Sequence, residues 1–269
     1  MKLTTKLVTA TAIVAASSAF AEDLEVMHWW TSGGEAAAVG ELAKAFDATG
    51  NTWKDAAIAG GDAARAVMVS RLTGGDPMGA FQFNHGRQAE ELIEAGLLRD
   101  ITDIAQAEGW ADIVNPSSLL DSCTVEGRIY CAPVNIHSWQ WLWLSHKAYD
   151  DAGLDVPTNW DEYVASASAL NDAGKLPLAM GQQGWQQRGL FNTLFAALVP
   201  NEVFLAVYDD KDADVAAGAD VARVFAAAAD AREMASNSTV QNWNDATNLV
   251  ITGQAGGQIM GDWAKGEFS

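Results

Sequence analysis

An α/β fold built on a parallel sheet is predicted by three features of the sequence. Apolar runs alternate with helical stripes over residues 22–100, in the order strand–helix–strand–helix–strand–helix. That order is the mark of parallel strands joined by crossover helices. Strong turns such as Gly74-Gly75-Asp76-Pro77 punctuate the alternation. Hydrophobic residues make up 49% of the 269 residues, ample for one large core or for two lobes with a core each.

The first 21 residues read as a secretory signal peptide. Lys2 and Lys6 precede the apolar run Leu7 to Ala16, and Ala19-Phe20-Ala21 fits the small-x-small cleavage rule. The run is too short to span a bilayer, and no later stretch is longer and as apolar. An exported, periplasmic location follows. Cleavage removes two of the 16 basic residues and none of the 35 acidic ones, so the net charge falls from −19 to −21. Such a surface repels nucleic acid and anionic lipid, which excludes them as partners.

Leu24 to Trp30 is the first predicted strand. It runs into the loop His28-Trp29-Trp30-Thr31-Ser32-Gly33-Gly34-Glu35. In open α/β sheets ligands bind outside the carboxyl ends of the strands. Two tryptophans beside hydroxyls and a carboxylate suit a ligand with an apolar face and many hydroxyls, such as a sugar. The plainer alternative is that both rings belong to the core. From Glu35 to Asp47, Val39, Leu42, Ala43 and Phe46 form an amphipathic stripe. Thr52 to Ala59 reads as a second strand. A helix capped by Asp62 runs to Leu72 with Val67, Met68 and Leu72 inward. Ala80 to Asn84 is a third strand, ending at His85, and Arg87 to Ala95 is a helix.

Ile101 to Leu120 is helical with breaks at Gly109 and Pro116. Cys123 and Cys131 then flank the turn Val125-Glu126-Gly127-Arg128. A hairpin can bring their sulfurs together in an oxidising compartment; a pair of buried thiols is the alternative. Two cysteines without a His or Asp cluster make a poor zinc site. Trp139, Trp141 and Trp143 recur at every second position, which places them on one face of a strand through Leu144; either that face is an aromatic core or one of the three reaches a cleft. Helices follow at Lys147 to Ala152 and Trp160 to Ala173, the latter capped by Thr158 with Asp161. Leu176 to Met180 is a strand, and residues 181–187 form a polar loop bearing Trp185. Phe191 to Leu198 and Ala213 to Ala235 are helices. Asn242 caps another, and Gln258-Ile259-Met260 is a strand ending at Gly261-Asp262-Trp263. The chain stops soon after a strand and a fresh loop, which predicts a longer natural protein.

Several chemistries find no support. There is no Gly-x-Gly-x-x-Gly fingerprint after the first strand, no phosphate-binding Gly-Lys-Ser/Thr loop and no Gly-x-Ser-x-Gly elbow. His28, His85, His137 and His146 are scattered without metal-ligand spacing, so neither metal nor cofactor is expected. Glu35 and Asp262 are distinctive acids, each next to a tryptophan on a glycine turn. That setting serves hydroxyl binding as well as glycoside hydrolysis.

The opening loop, Phe81-Gln82-Phe83-Asn84-His85-Gly86, Pro133-Val134-Asn135-Ile136-His137 with Trp141-Leu142-Trp143, Trp185-Gln186, Asn242-Trp243-Asn244-Asp245-Ala246 and Met260 to Phe268 together resemble the sugar-binding proteins of ABC transporters. Within these the glucose/mannose group is the nearest in type. The resemblance implies a type II periplasmic-binding-protein fold. Two α/β lobes, residues 22–131 and 132–269, would close on a ligand like a hinge. It implies a monomer that binds a monosaccharide and delivers it to inner-membrane permease subunits, with no catalysis. Another neutral solute, such as xylose or a polyol, and a secreted glycoside hydrolase remain the alternatives. The resemblance also implies a return segment to the first lobe that this chain lacks. Trp29, Trp30 and Glu35 match first-lobe sugar contacts, with Gln82 and His85 at the third strand's end. Trp185 and Trp263 match second-lobe aromatics, joined in the quoted motifs by His137 and Asp262.

Overall fold

The computed structural model of the chain describes residues 22–268, so the predicted signal peptide lies outside the described residues. The first unit alternates as expected: β1 (Asp23–His28), α1 (Gly33–Asp47), β2 (Thr52–Ala57), α2 (Gly61–Thr73), β3 (Ala80–Phe81) and α3 (Arg87–Glu94). β1 lies between β2 and β3 and is parallel to both. Alternation along β1 sends Met27 to one face, where α2 supplies Ala64, Met68 and Leu72 at successive turns. Met78 and Leu92 complete that core.

Local chemistry moves several predicted boundaries. β1 ends at His28 because the Trp29 N–H turns to the Gln82 side chain, 3.0 Å away. α1 starts two residues earlier than expected, at Gly33, behind the N-cap Ser32. Its predicted apolar stripe is only partly used: Val39 is buried, whereas Leu42 is 44% exposed. α2 is preceded by Gly60, and Asp62 sits inside its first turn paired with Arg65. Val67 points outward; the buried stripe is Ala64, Met68 and Leu72.

The connecting region holds α4 (Thr102–Ala107), α5 (Trp110–Ile113) and α6 (Ser118–Asp121), with breaks at the predicted Gly109 and Pro116. A hairpin follows, β4 (Thr124–Val125) and β5 (Arg128–Ile129). Its two loop residues, Glu126 and Gly127, both have positive φ (51° and 76°), the backbone that two-residue hairpins require. Cys123 and Cys131 are joined by a disulfide across this hairpin. Replacing both by serine is expected to lower stability by roughly 2–3 kcal/mol through the freed loop entropy, read as a lower urea midpoint.

Residues 132–141 carry no regular structure. The expected strand from Trp139 is reduced to β6 (Leu142–Leu144). The three tryptophans therefore do not share one strand face: Trp141 stacks on Trp143 at 5.7 Å, while Trp139 turns to Trp185 and Trp263. The second unit continues with α7 (His146–Ala152), α8 (Trp160–Asp172), β7 (Leu176–Leu178), α9 (Gly184–Leu198), α10 (Asn201–Tyr208), α11 (Ala213–Ala216), α12 (Ala219–Met234), α13 (Trp243–Ile251), β8 (Ala255–Ile259) and a 3-10 helix (Asp262–Glu267). β8 is central, antiparallel to β6 and parallel to β7. Tyr149, Tyr163, Leu170, Leu178, Phe195 and Val224 fill the core around it.

Here too the sequence reading needs correction. Asn159, not Thr158, caps α8 by accepting the Glu162 N–H; Thr158 instead donates through its N–H and hydroxyl to the Glu162 carboxylate. The alanine-rich helix is broken at Gly218 into α11 and α12. α9 begins at Gly184, well before Phe191. β8 begins at Ala255, earlier than expected, and its Gly256 and Gly257 pass where a side chain has no room: a Cβ at Gly257 would stand 2.8 Å from the Trp143 carbonyl oxygen.

Candidate ligand-binding cleft

The two units meet where β1 ends and β8 ends. The N-terminus of α1 abuts the closing 3-10 helix so closely that a Cβ at Gly34 would stand 2.9 Å from the Gly266 Cα. The Gly34 N–H donates to Glu267 at 3.3 Å, and the helix dipole favours a carboxylate there. Just beyond this contact an aromatic cluster forms. The His137 ring stands 6.3 Å from Trp30 and 4.9 Å from Trp263, edge-on to both. Trp139 is 4.9 Å from Trp263 and 5.6 Å from Trp185. Trp30, Trp139, Trp185 and Trp263 are all only partly buried.

Polar groups thread the rings. With the Asn135 amide donating to His137 Nε2 at 2.6 Å, His137 carries its proton on Nδ1 and donates to Asp262 at 3.0 Å. Both ring nitrogens of His137 are thereby engaged, while Asp262, 37% exposed, keeps acceptor capacity toward solvent. The Trp185 indole N–H donates to Gln183 at 2.7 Å. A groove of about 420 Å³ opens beside Trp30 and Thr31 and runs along α1 over His28 and Asp55 to Trp53. Among the described residues no group of three or more His, Cys, Asp or Glu side chains stands together to hold a metal.

The structure thus brings together Trp30, His137, Trp185, Asp262 and Trp263. Trp29 is packed differently, against the first core, with the Arg65 guanidinium 5.6 Å above its ring. Gln82 supports it from below by accepting the Trp29 N–H. His85 is exposed at the turn before α3. Trp139 is the cluster member that the sequence did not single out: the tryptophan repeat offered one of Trp139, Trp141 and Trp143 to a cleft without saying which. Its place after the Pro133–His137 motif was the available signal.

Glu35 is committed to α1: it accepts from the Ser32 hydroxyl at 3.0 Å and from the Ser32 N–H at 3.4 Å. Burial raises its pKa above the ordinary carboxylate range, against the opposing Ser32 bonds, and Glu267 adds to the rise. The folded chain therefore holds this proton where the unfolded chain has released it. Stability from this group is present at low pH and declines as pH rises through the raised value. Glu35→Gln keeps an acceptor for Ser32 and removes the charge. Its Tm relative to the parent is expected to rise between about pH 4 and pH 7; a flat difference would show that the carboxylate is well solvated.

A sequence-family model described as bacterial extracellular solute-binding protein matches residues 30–268. A "Probable sugar-binding periplasmic protein" of Rhizobium meliloti (strain 1021) is 36% identical over 269 residues, covering 99% of this chain and 64% of the relative. A protein of the same description from Brucella melitensis biotype 1 is 36% identical over 250 residues, covering 92% and 59%. The chain thus spans about three-fifths of the length of these relatives, which are described as binding proteins and not as enzymes. Among solved structures, a chitin oligosaccharide binding protein superposes with a TM-score of 0.74 at 18% identity, covering 91% of this chain and 63% of that one. The architecture is that of the type II periplasmic binding proteins. The matched span takes in most of the chain, which therefore belongs to the bacterial extracellular solute-binding protein family.

Proposed function

We propose that this chain is the ligand-binding part of a periplasmic subunit of an ABC transporter, and that it takes a monosaccharide of the glucose or mannose type. The observation that carries this reading is the convergence of Trp30, His137, Trp185 and Trp263 with Asp262 where the two units meet. Half-buried indoles offer apolar faces to the C–H side of a pyranose, and each good contact of this kind contributes roughly 0.5–1.5 kcal/mol beyond burial. Asp262 and Gln82 supply hydroxyl partners, and His137 holds Asp262 in place. An uncharged ligand needs no counter-ion, and the Arg65 guanidinium above Trp29 is already paired with Asp62.

In this reading residues 22–131 and 132–269 act as two lobes. The sugar selects the closed state because only that state makes both sets of contacts. The subunit works as a monomer and hands the sugar to membrane permease subunits. Catalysis is not part of the reading, since Glu35 serves as a helix cap and Asp262 holds His137. The test is a tryptophan-fluorescence titration with D-glucose, D-mannose, D-xylose and a polyol, D-sorbitol. Saturable quenching by D-glucose or D-mannose alone is the expected result. Response only to D-xylose or D-sorbitol would replace the ligand class, and silence throughout would remove the reading.

A further inference from the structure

Two glycines lie directly under tryptophan rings. A Cβ at Gly189 would stand 1.7 Å from Cζ3 of Trp139, and a Cβ at Gly261 would stand 2.0 Å from Cζ3 of Trp263. Carbon atoms are at their attractive optimum near 3.5–4.0 Å, so either side chain would have to displace the ring. Backbone conformation does not call for glycine at these places. Gly189 is inside α9, where glycine costs about 1 kcal/mol relative to alanine, and Gly261 has φ of −65°. Space is the reason for both.

The Gly189 seat is the more telling one, because Trp139 is the ring between Trp185 and Trp263. Its planes stand at 77° and 84° to theirs. One turn along α9, the Thr193 hydroxyl lies 3.0 Å from the Trp139 carbonyl oxygen and 2.9 Å from the Gly189 carbonyl oxygen, within reach of both acceptors. The same helix thus provides the slot for the ring and the clamp for its backbone.

We propose that Gly189 is a positioning residue of the ligand cleft. Its missing side chain forms the slot that seats Trp139 between Trp185 and Trp263, and this seat sets the depth of the aromatic floor that a sugar meets. The functional half of this proposal rests on the sugar-binding reading above; the seat itself rests on the packing. A larger residue at 189 drives the Trp139 ring outward into the space of the ligand.

The test is a double-mutant cycle of Gly189→Ala and Trp139→Ala, read without ligand by near-ultraviolet circular dichroism and by urea midpoint, and with D-glucose and D-mannose by titration. Gly189→Ala is expected to lose the near-ultraviolet signal of the coupled rings, to lower the urea midpoint and to weaken monosaccharide binding at least tenfold. In the Trp139→Ala background the same change should leave the urea midpoint unchanged or higher. A cost in midpoint that is equal in both backgrounds would overturn the seat. If Gly189→Ala alone does not fold, recovery of a cooperative transition in the double variant supports the seat, and failure to recover overturns it. A parent chain that binds neither sugar would overturn the cleft role together with the monosaccharide reading, while the urea cycle still decides the seat.

Discussion

Trp263→Ala is expected to abolish saturable quenching by monosaccharides and to lower stability by about 3 kcal/mol. The ring stands 4.9 Å from both His137 and Trp139, and 6.4 Å from both Trp185 and Trp243. Truncation therefore removes the shared wall of four aromatic neighbours. It also strands the seat that Gly261 leaves open beneath it. The stability figure lies at the lower end for aromatic truncations because the ring is only partly buried. Trp141→Ala is the matched control. That ring is 47% exposed and stacks on Trp143 rather than on Trp263, so binding should stay within about twofold of the parent by the usual near-neutrality of exposed positions. Paired urea melts and sugar titrations check both variants. Parental affinity in Trp263→Ala would move the ligand away from this cluster.

The alternation of the first unit was legible because its steps carry their own turn chemistry, as at Gly74-Gly75 between α2 and β3. Element ends were less so, since they depend on partners far away in sequence. β1 stops at His28 because the N–H of Trp29 turns to Gln82, 53 positions further along. The tryptophan repeat at 139, 141 and 143 misled for a similar reason. Period two holds only inside a paired strand, and of residues 139–144 only 142–144 pair with β8. The packing slots were invisible, because a glycine under a ring looks in sequence like any other glycine. Glu35 and Asp262 were singled out in the sequence as distinctive acids. Their commitments, to Ser32 and to His137, needed the folded chain to be seen.

Gln258 shows how much of the site's support lay outside the motifs. The sequence reading placed it in a strand without a role. In the structure it is 0% exposed at the centre of β8. Its carbonyl accepts from the Thr247 hydroxyl at 2.7 Å and its amide donates to the Trp243 carbonyl at 2.9 Å. These bonds tie the first turn of α13 to the strand that carries Met260 and Trp263. Gln258→Leu is expected to cost about 2 kcal/mol, since Thr247 keeps a bond to Trp243 while the Gln258 contacts vanish. Gln258→Glu should cost more at neutral pH. A buried carboxylate still accepts from Thr247 but faces the Trp243 carbonyl with a second lone pair. Burial raises the folded-state pKa of such a group, so the folded state binds the proton more tightly and stability declines as pH rises through that value. Relative to the parent at the same pH, Gln258→Glu should therefore recover between about pH 7 and pH 5, whereas Gln258→Leu should stay level. Urea midpoints at the two pH values separate the cases. A Glu variant without this recovery would mean that water reaches position 258, and that α13 is held to β8 by packing alone.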